Sequence, residues 1–355
     1  MTEPDTRTRD AAYAVVVPTL GRPSLGVCLH ALAEASGPGP VRVVLVDDRP
    51  GPARSPLTAD VPPSLRSRTI VVPGGARGPA AARNLGWRAA GDVPWIVFLD
   101  DDVVPGPTWG DDLTLDLTAA TERTGGITAR IQVPLPADPP DWERNTASLA
   151  GARWVTADMA YRRAALTTVG GFDERFRRAF REDADLALRI RDAGWTLTEG
   201  RRTTTHPVRP AGRWTSVRLQ AGNADDVLMT RLHGRHWWRR AQAPRGRLPV
   251  HLALTGAGVT ALGCALLGRH RLAGACAAAW LAGTTEFALS RILPGPRTRD
   301  EVLTMTVTSV LIPPTATWHW LRGRLAHRTV RPLTPLGTGE PAPAPRPAVR
   351  ERLRS

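Results

Sequence analysis

The stretch Trp95-Ile-Val-Phe-Leu-Asp-Asp-Asp102 decides what fold to expect of this 355-residue chain. A run of apolar residues predicts a buried strand, and a run of carboxylates follows it directly. Because side chains alternate along an extended strand, Asp100 and Asp102 fall on the same side. Two carboxylates this close repel each other, and folding alone does not explain them. A hard divalent cation does, since it prefers oxygen ligands and usually also binds a substrate phosphate.

Strand and helix patterns alternate throughout the region before residue 102. This alternation predicts an α/β fold, with a mostly parallel sheet and helices on both faces. Ligands of such sheets bind at the carboxyl ends of the strands, where this sequence has Pro18-Thr19, Asp47-Asp48 and Asp100–Asp102. The predicted strands are 13–17, 41–46, 69–72 and 95–99, and the predicted helices are 24–35 and 79–90.

A second acidic cluster follows some way along the chain. Glu182-Asp183-Ala184-Asp185-Leu186 opens a predicted helix over 182–193, which Gly194 ends. Acidic residues suit the positive end of a helix dipole, so a purely structural explanation exists for them. The other predicted elements are a helix over 107–123, strands over 126–133 and 154–161, and an extended segment over 195–205 that reaches His206.

Charge is distributed unevenly along the chain. Residues 1–200 carry 23 Arg and 26 acidic residues, whereas residues 201–355 carry 24 Arg and 7 acidic residues. The sequence contains no Lys, which excludes Schiff-base chemistry and the phosphate-binding Lys of a Walker loop. A basic C-terminal part suits nucleic acid or an anionic membrane surface. The apolar stretches between its Arg residues favour the membrane, and we expect no nucleic acid partner.

Three apolar stretches follow an Arg-rich connector over 214–247. Leu248–Gly268 and Leu272–Leu293 each have the roughly 20 residues needed to span a bilayer. Val302–Leu321 is interrupted by Pro313-Pro314, and we expect it to lie at the membrane interface or to be re-entrant. Arg residues flank the set on both sides, so the positive-inside tendency requires an even number of crossings. The soluble alternative is a helical hairpin packed on the preceding domain.

Six segments between residues 13 and 206 together resemble the family-2 glycosyltransferases, which have the GT-A fold. Each segment is unspecific alone, but their order along the chain is specific. The resemblance covers a little over half of the chain. The segments are Val-Val-Val-Pro-Thr-Leu-Gly-Arg-Pro (15–23), Val-Leu-Val-Asp-Asp (44–48), Ala-Ala-Arg-Asn-Leu-Gly (81–86), Phe-Leu-Asp-Asp-Asp (98–102), Gly-Gly-Phe-Asp-Glu-Arg-Phe (170–176) and Glu-Asp-Ala-Asp-Leu-Ala-Leu-Arg (182–189).

The resemblance implies a metal-dependent site for a nucleotide sugar. It makes Asp100 and Asp102 the ligands of Mn²⁺ or Mg²⁺ on the donor diphosphate, and some relatives have a third ligand where this chain has His206. A lone His is otherwise most often structural. The simpler explanation of the two carboxylates is a solvated strand end.

The resemblance also implies a set of donor contacts. Asp48 would read the nucleotide base, although an acid there also suits a turn before Arg49-Pro50-Gly51. Arg83 would lie in the donor site, or it would pair with Asp47 or Asp48 as part of the scaffold. Asp101 would contact the ribose or remain a bystander. The full set of implied donor contacts is Pro18, Thr19, Asp48, Arg83, Asp100 and Asp101.

On the acceptor side, the resemblance makes Asp183 the general base that takes the proton of the acceptor hydroxyl. Glu182 would help to orient the acceptor. Asp185 would brace the helix, together with Arg189. A general base must lie within hydrogen-bond reach of the hydroxyl that it deprotonates.

Together these features predict an inverting hexosyl- or deoxyhexosyltransferase on the cytoplasmic face of the cell membrane. Its acceptor would be an envelope glycan or a lipid-linked molecule. The expected organisation is a catalytic domain over 11–213, a basic connector over 214–247, apolar helices over 248–321 and a disordered basic tail over 322–355.

Two alternatives belong to other classes. Val97 to Val104 also fits the Asp-x-Asp-x-Val motif of haloacid-dehalogenase-like phosphatases, with Asp100 as nucleophile. That family usually has a later Lys, which this chain lacks. The other alternative is a non-catalytic, glycosyltransferase-like membrane scaffold.

Overall fold

The computed structural model describes residues 11–51, 57 and 60–333. Within them, one eight-stranded sheet forms the frame of the N-terminal part. The strands predicted from the sequence are all present, with ends shifted by a few residues, and a short strand that the sequence did not indicate is added over Val104–Pro105. They are β1 (Tyr13–Thr19), β2 (Arg42–Asp47), β3 (Thr69–Pro73), β4 (Trp95–Leu99), β5 (Val104–Pro105), β6 (Thr124–Gln132), β7 (Asp158–Arg162) and β8 (Thr196–Thr205).

The sheet has the order β3-β2-β1-β4-β7-β6-β8-β5. Its first four strands are parallel, as the strand–helix alternation predicts. β7 runs antiparallel to both of its neighbours, β4 and β6, and β5 runs antiparallel to β8. The α/β fold is confirmed, and its sheet is mixed. The direction of the later strands depends on long-range pairing, which alternation along the sequence does not encode.

Helices cover both faces of the sheet, and side-chain alternation divides the core between them. Val15 and Val17 of β1 enter one apolar cluster, while Ala14 and Val16 enter the other. The helices are α1 (Ser24–Glu34), α2 (Pro63–Arg66), α3 (Pro79–Ala89), α4 (Trp109–Thr118), α5 (Asp141–Ala147), α6 (Arg163–Val169), α7 (Glu182–Asp192), α8 (Thr215–Arg218), α9 (Asn223–His233), α10 (Trp237–Arg240), α11 (Leu248–Leu266), α12 (His270–Ile292) and α13 (Arg299–Ala326).

Helix α3 lies unusually close to the sheet. A Cβ atom at Gly86 would lie 2.2 Å from Cγ1 of Val16, so only glycine permits this approach. The small residues Ala80 and Ala82 are fully buried on the same helix. This close packing brings Arg83 of α3 next to the carboxyl ends of the central strands.

The C-terminal helices differ from the prediction in one respect. Pro313 and Pro314 lie inside α13, which continues unbroken through both of them. Proline costs a helix a hydrogen bond, but the buried face of α13, with Ile312 and Ala316, compensates through packing on α9 and α11. The helix also extends to Ala326, past the predicted start of the tail at 322. Residues 334–355 of that tail lie outside the described residues.

A buried polar cluster joins β7, β8 and α4. Asp158 of β7 has no exposed surface, and its carboxylate accepts hydrogen bonds from Trp109 Nε1 at 2.6 Å, Arg202 Nε at 2.9 Å and Thr204 Oγ1 at 2.6 Å. Both of its oxygens accept from donors of the protein. Asp158 is therefore a structural residue of the core.

Replacing Asp158 by Ala should destabilise the fold strongly, because the buried Arg202 would keep only its longer ion pair, with Asp116 at 3.3 Å, and the Trp109 and Thr204 donors would lose their acceptor. The expected loss is about 3–5 kcal/mol of unfolding free energy, measured by urea denaturation. Glu199→Gln is the matched control, since Glu199 forms half-exposed pairs with Arg130 and Arg153. Such surface pairs contribute about 0–1 kcal/mol. Equal losses in the two variants would contradict the structural role of Asp158.

Candidate active site

Three side chains with metal-binding atoms meet at the carboxyl edge of the sheet. Asp100 and Asp102 follow β4, and His206 follows β8. One ligand atom of each lies within 4.8 Å of the other two. His206 Nε2 is 3.7 Å from Asp102 Oδ1. The trio was assembled from two strands that are far apart in the sequence.

The electrostatics of this trio fit a cation. Burial and the charge of Asp100 raise the pKa of Asp102, while His206 and Arg209 oppose that shift. The two carboxylates therefore repel each other in a buried setting, and a divalent ion between them would remove the repulsion. Carboxylate oxygens and an imidazole nitrogen are donors that Mn²⁺ accepts, and carboxylates also suit Mg²⁺.

Arg83 joins the metal-binding trio to the second acidic cluster. Its guanidinium donates to Asp100 Oδ1 at 2.8 Å and to Glu182 Oε1 at 2.8 Å. Arg83 and Glu182 are each 2% exposed. Of the two alternatives for Arg83, the pairing with Asp47 or Asp48 is not formed, because α3 directs this side chain to Asp100 and Glu182 and Arg49 neutralises Asp47.

Asp101 fastens the end of β1 to the end of β4. Its carboxylate accepts hydrogen bonds from Thr19 Oγ1 at 2.7 Å, Leu20 N at 3.3 Å and Arg22 at 3.0 Å. Pro18 lies half-buried beside this junction. These contacts occupy both oxygens of Asp101 and the Thr19 hydroxyl. A contact of Pro18, Thr19 or Asp101 with the sugar donor stays a prediction.

Asp48 orders the glycine-rich loop before α3. Its two oxygens accept hydrogen bonds from the amides of Arg77 and Gly78, both at 2.9 Å. Gly74 allows the loop to pass this close, since a Cβ there would lie 2.7 Å from Asp48 Oδ1. Asp48 therefore fixes the position of this loop at the end of β2.

Glu182 and Asp183 open helix α7 on the other side of Arg83. Burial and the charge of Asp183 raise the pKa of Glu182, and Arg83 opposes that shift. Burial also raises the pKa of Asp183, which is half-buried, against the hydrogen bond from the Ala184 amide and the charges of Arg83 and Arg181. A carboxylate with a raised pKa accepts a proton more readily than an ordinary surface Asp.

Asp185 has the bracing role that the sequence suggested. It is fully buried and binds Arg189 one turn later, with Arg189 Nε at 2.8 Å. The structure adds a partner that the sequence did not indicate, His233 of α9, whose Nε2 lies 2.8 Å from Asp185 Oδ1. The connector therefore packs on the helix that carries the acids.

Arg209 is the site residue that sequence reasoning missed. Its Nε lies 2.7 Å from Asp102 Oδ2, and its carbonyl accepts a hydrogen bond from Trp142 Nε1 at 2.7 Å. The only available signal was its place three residues after His206. One Arg among 47 basic residues is too common a feature to single out.

Comparison with known proteins identifies the class. Residues 14–165 match the sequence model of the family described as Glycosyl transferase family 2. The solved structure of mannosyltransferase PcManGT from Pyrobaculum calidifontis, in complex with GDP-Man and Mn²⁺, aligns with a TM-score of 0.51 and 18% identity. The alignment covers 86% of this chain and 87% of that chain. At this identity the likeness shows a shared fold.

Two more distant structures also align, each with a TM-score of 0.43. GalNAc-T7 with UDP, GalNAc and Mn²⁺ aligns at 15% identity over 57% of this chain and 44% of that chain. S. aureus TarS in complex with UDP aligns at 13% identity over 84% of this chain and 90% of that chain. No curated protein sequence matches the chain significantly.

The fold and the family match define the class of the N-terminal part of the chain: residues 14–165 form a family-2 glycosyltransferase domain, and the structure has the GT-A fold. The resemblance seen in the sequence is confirmed. The phosphatase alternative does not hold, because the matched family covers Asp100 and the strands next to it, β1, β4 and β7. The geometry gives Asp100 a buried Arg partner on one side and a potential metal site on the other.

Proposed function

We propose that the chain is an inverting, metal-assisted transferase that moves a sugar from a nucleotide-sugar donor to an acceptor hydroxyl. The observation that carries this proposal is the pair of contacts from Asp100 through Arg83 to Glu182, which directly precedes Asp183 in the chain. One end of this pair of contacts offers a cation site, and the other offers a carboxylate base. A displacement reaction needs these two functions on opposite sides of the reacting carbon.

Asp100, Asp102 and His206 would hold the metal ion. The family context and the donor set support Mn²⁺ or Mg²⁺, without a choice between them. When bound, the ion neutralises the charge that develops on the leaving diphosphate. Arg83 lends its positive charge to Asp100 and so keeps that carboxylate in place.

The donor would lie along the ends of β1, β2 and β4. Asp48 and the loop that it orders form one wall, and Pro18 and Thr19 form another. The PcManGT structure contains GDP-Man and Mn²⁺, which supports a nucleotide sugar as the donor class here. A thermal-shift panel of UDP, GDP, dTDP and CDP, each with and without Mn²⁺, would identify the nucleotide.

Asp183 would act as the general base. The acceptor oxygen forms a bond to the anomeric carbon while the bond from that carbon to the diphosphate oxygen breaks. The proton of the acceptor hydroxyl passes to the Asp183 carboxylate. One displacement of this kind inverts the anomeric configuration and needs no covalent enzyme intermediate. Glu182, held by Arg83, would orient the acceptor.

Asp102→Asn should abolish turnover and the Mn²⁺-dependent part of nucleotide binding while the fold persists, because a neutral amide binds a hard cation poorly. Thermal shift with nucleotide and Mn²⁺ measures binding, and circular dichroism measures the fold. Asp92→Asn is the control, since Asp92 is exposed and precedes β4, at the opposite end of that strand from Asp100 and Asp102. Activity that survives thorough chelation of divalent ions in the wild-type protein would sink the proposal.

Asp183→Asn should still bind nucleotide and Mn²⁺ but lose transfer by about 10²–10⁴-fold, the usual contribution of a positioned base. In the wild type, the rate should fall as the pH drops through the raised pKa of Asp183, because only the ionised carboxylate accepts the proton. Asp192→Asn, at the other end of α7, should behave as wild type. A loss of only a few-fold in Asp183→Asn would reassign the role to Glu182.

Membrane attachment is supported by the exposure of the C-terminal helices. α11 and α12 are long and apolar enough to cross a bilayer, but this criterion alone is weak because core helices also meet it. Core helices are buried, however. In the most apolar 18-residue segments of α11 and α12, only 11% and 22% of the residues are buried. The bare apolar residues include Val259, Leu262, Leu266, Leu267 and Leu281. Soluble proteins rarely expose so many large apolar side chains on neighbouring helices, and such a surface is typical of a membrane contact.

Helix α13 has an exposed apolar stripe along its whole length. Its other face, with Met305, Ile312 and Ala316, is buried against the protein. The stripe recurs every three or four residues, which places it on one side of the helix. This pattern supports a helix in the membrane interface rather than a third span. The stripe comprises Leu303, Val307, Leu311, Pro314, Trp318, Leu321 and Leu325.

The distribution of Arg residues supports the cytoplasmic face and two crossings. Basic residues flank the helices on both sides, where they can contact anionic lipid headgroups. Such an attachment would present the cleft to a lipid-linked or envelope acceptor. The flanking residues are Arg235, Arg239, Arg240, Arg245 and Arg247 before α11, and Arg322, Arg324 and Arg328 at the end of α13.

The full-length protein should sediment with membranes and resist extraction by high salt and by alkaline carbonate, because the α11–α12 hairpin spans the bilayer. Detergent should release it. A chain that ends at Gln242 lacks all three helices and should be far less membrane-bound in the same fractionation. Full-length protein that stays in the supernatant without detergent would contradict the membrane proposal.

A further inference from the structure

Arg181, directly before the acidic turn of α7, has an unusual backbone. Its φ of +76° lies in the left-handed region, which a residue with a side chain rarely adopts. Such conformations persist only where the surrounding structure holds them. The carbonyl of Arg181 accepts the first hydrogen bond of α7, from the Asp185 amide at 2.9 Å. The conformation of Arg181 therefore sets where α7 begins and where Glu182 and Asp183 point.

The contacts that hold Arg181 come from outside the family-2 domain. Its Nε donates to Asp226 Oδ1 of α9 at 2.8 Å. Its guanidinium stacks on the Phe180 ring at 4.3 Å and on the Trp237 ring of α10 at 4.8 Å. Phe180 in turn packs on Gly222, where a Cβ would lie 2.7 Å from the ring. The connector thus contacts this side chain through Asp226 and Trp237, and it holds Phe180 through Gly222.

A second contact fixes α7 to the same connector helix. His233, at the end of α9, binds the buried Asp185 carboxylate. Asp226 and His233 lie seven residues apart, which is two helical turns, so they fall on one face of α9. The opposite face of α9 packs on α13. A Cβ atom at Gly323 of α13 would lie only 2.7 Å from Cα of Ala224 in α9. α9 is therefore held between the acidic helix and the apolar C-terminal helices.

We propose that Asp226 is a positioning residue for the base Asp183: it holds Arg181 in the left-handed conformation that starts α7 at the productive place. This inference rests on the proposed role of Asp183. Asp226 touches neither donor nor acceptor in this scheme and acts only through the backbone of Arg181. The connector is thus a part of the catalytic apparatus and more than a link to the membrane helices.

The test compares Asp226→Ala with the double variant Arg181→Gly/Asp226→Ala. In the single variant, Arg181 should relax to negative φ and α7 should lose its first hydrogen bond. We expect kcat to fall by about 10–100-fold, with the KM for the donor within about twofold, since a shift near 1 Å has this effect on a reacting group. Glycine adopts positive φ without cost, so the double variant should recover most of the lost rate.

The rate is measured as release of nucleoside diphosphate from a sugar donor. The donor carries the nucleotide that gives the largest thermal shift with Mn²⁺. The assay pH lies above the range in which the rate still rises with pH, so that Asp183 is ionised in every variant. Hydrogen exchange of the peptide over 181–187 gives a readout that needs no substrate. Exchange should increase in Asp226→Ala and return toward wild type in the double variant. Asp226→Asn, which keeps an acceptor oxygen, should lie between wild type and Asp226→Ala.

Asp225→Ala is the matched control, because Asp225 is the adjacent acid on α9 and pairs with Arg178 instead. It should leave kcat and the exchange of 181–187 unchanged. A double variant as slow and as unprotected as Asp226→Ala would overturn the proposal, as would an Asp226→Ala protein with wild-type kcat and exchange. Asp183→Asn is assayed beside them: if it retains transfer, the base assignment fails, while the exchange data still decide how α7 is held.

Discussion

One buried cation fixes the two sides of the cleft relative to each other. Arg83 contacts Asp100 at the end of β4 and Glu182 at the start of α7, and almost none of its surface reaches solvent. Removing a buried charge from such a network leaves its partners uncompensated, which costs several kcal/mol. The metal-binding edge and the acidic helix therefore cannot move independently. The planar guanidinium suits this task, because it can bind two carboxylates in different directions at once.

The same principle governs the acids around the cleft. Asp101 is satisfied by Thr19 and Arg22, Asp48 by two loop amides, and Asp158 by Arg202 and its neighbours. These acids are used to hold strand ends and loops. Asp100 and Asp102 differ, because each faces the other carboxylate and His206 in addition to its Arg partner, and Asp183 differs because its pKa is raised while its hydrogen bond comes from the Ala184 amide. Chemistry is expected from acids that the fold leaves incompletely neutralised.

The C-terminal part is integrated with the catalytic part rather than appended to it. α9 contacts α7 through Asp226 and His233 and contacts α13 through Ala224. Arg291 of α12 binds Asp141 of α5 with an N–O distance of 2.8 Å, and α5 holds the Arg209 loop through Trp142. A membrane-bound set of helices would therefore orient the cleft as well as anchor it.

The sequence by itself determined the local features. Alternating strands and helices, Asp100 and Asp102 after a buried strand, the acids that open α7 and the length of α11 and α12 all follow from short-range patterns. The tertiary structure alone decided which acids are free for chemistry. Arg83 pairs with Asp100 and Glu182 and not with Asp47, Arg209 reaches Asp102, and α13 continues through Pro313 and Pro314. These outcomes depend on residues that are far apart in the chain. Burial and long-range pairing, which no local pattern encodes, select among contacts that the sequence leaves equally available.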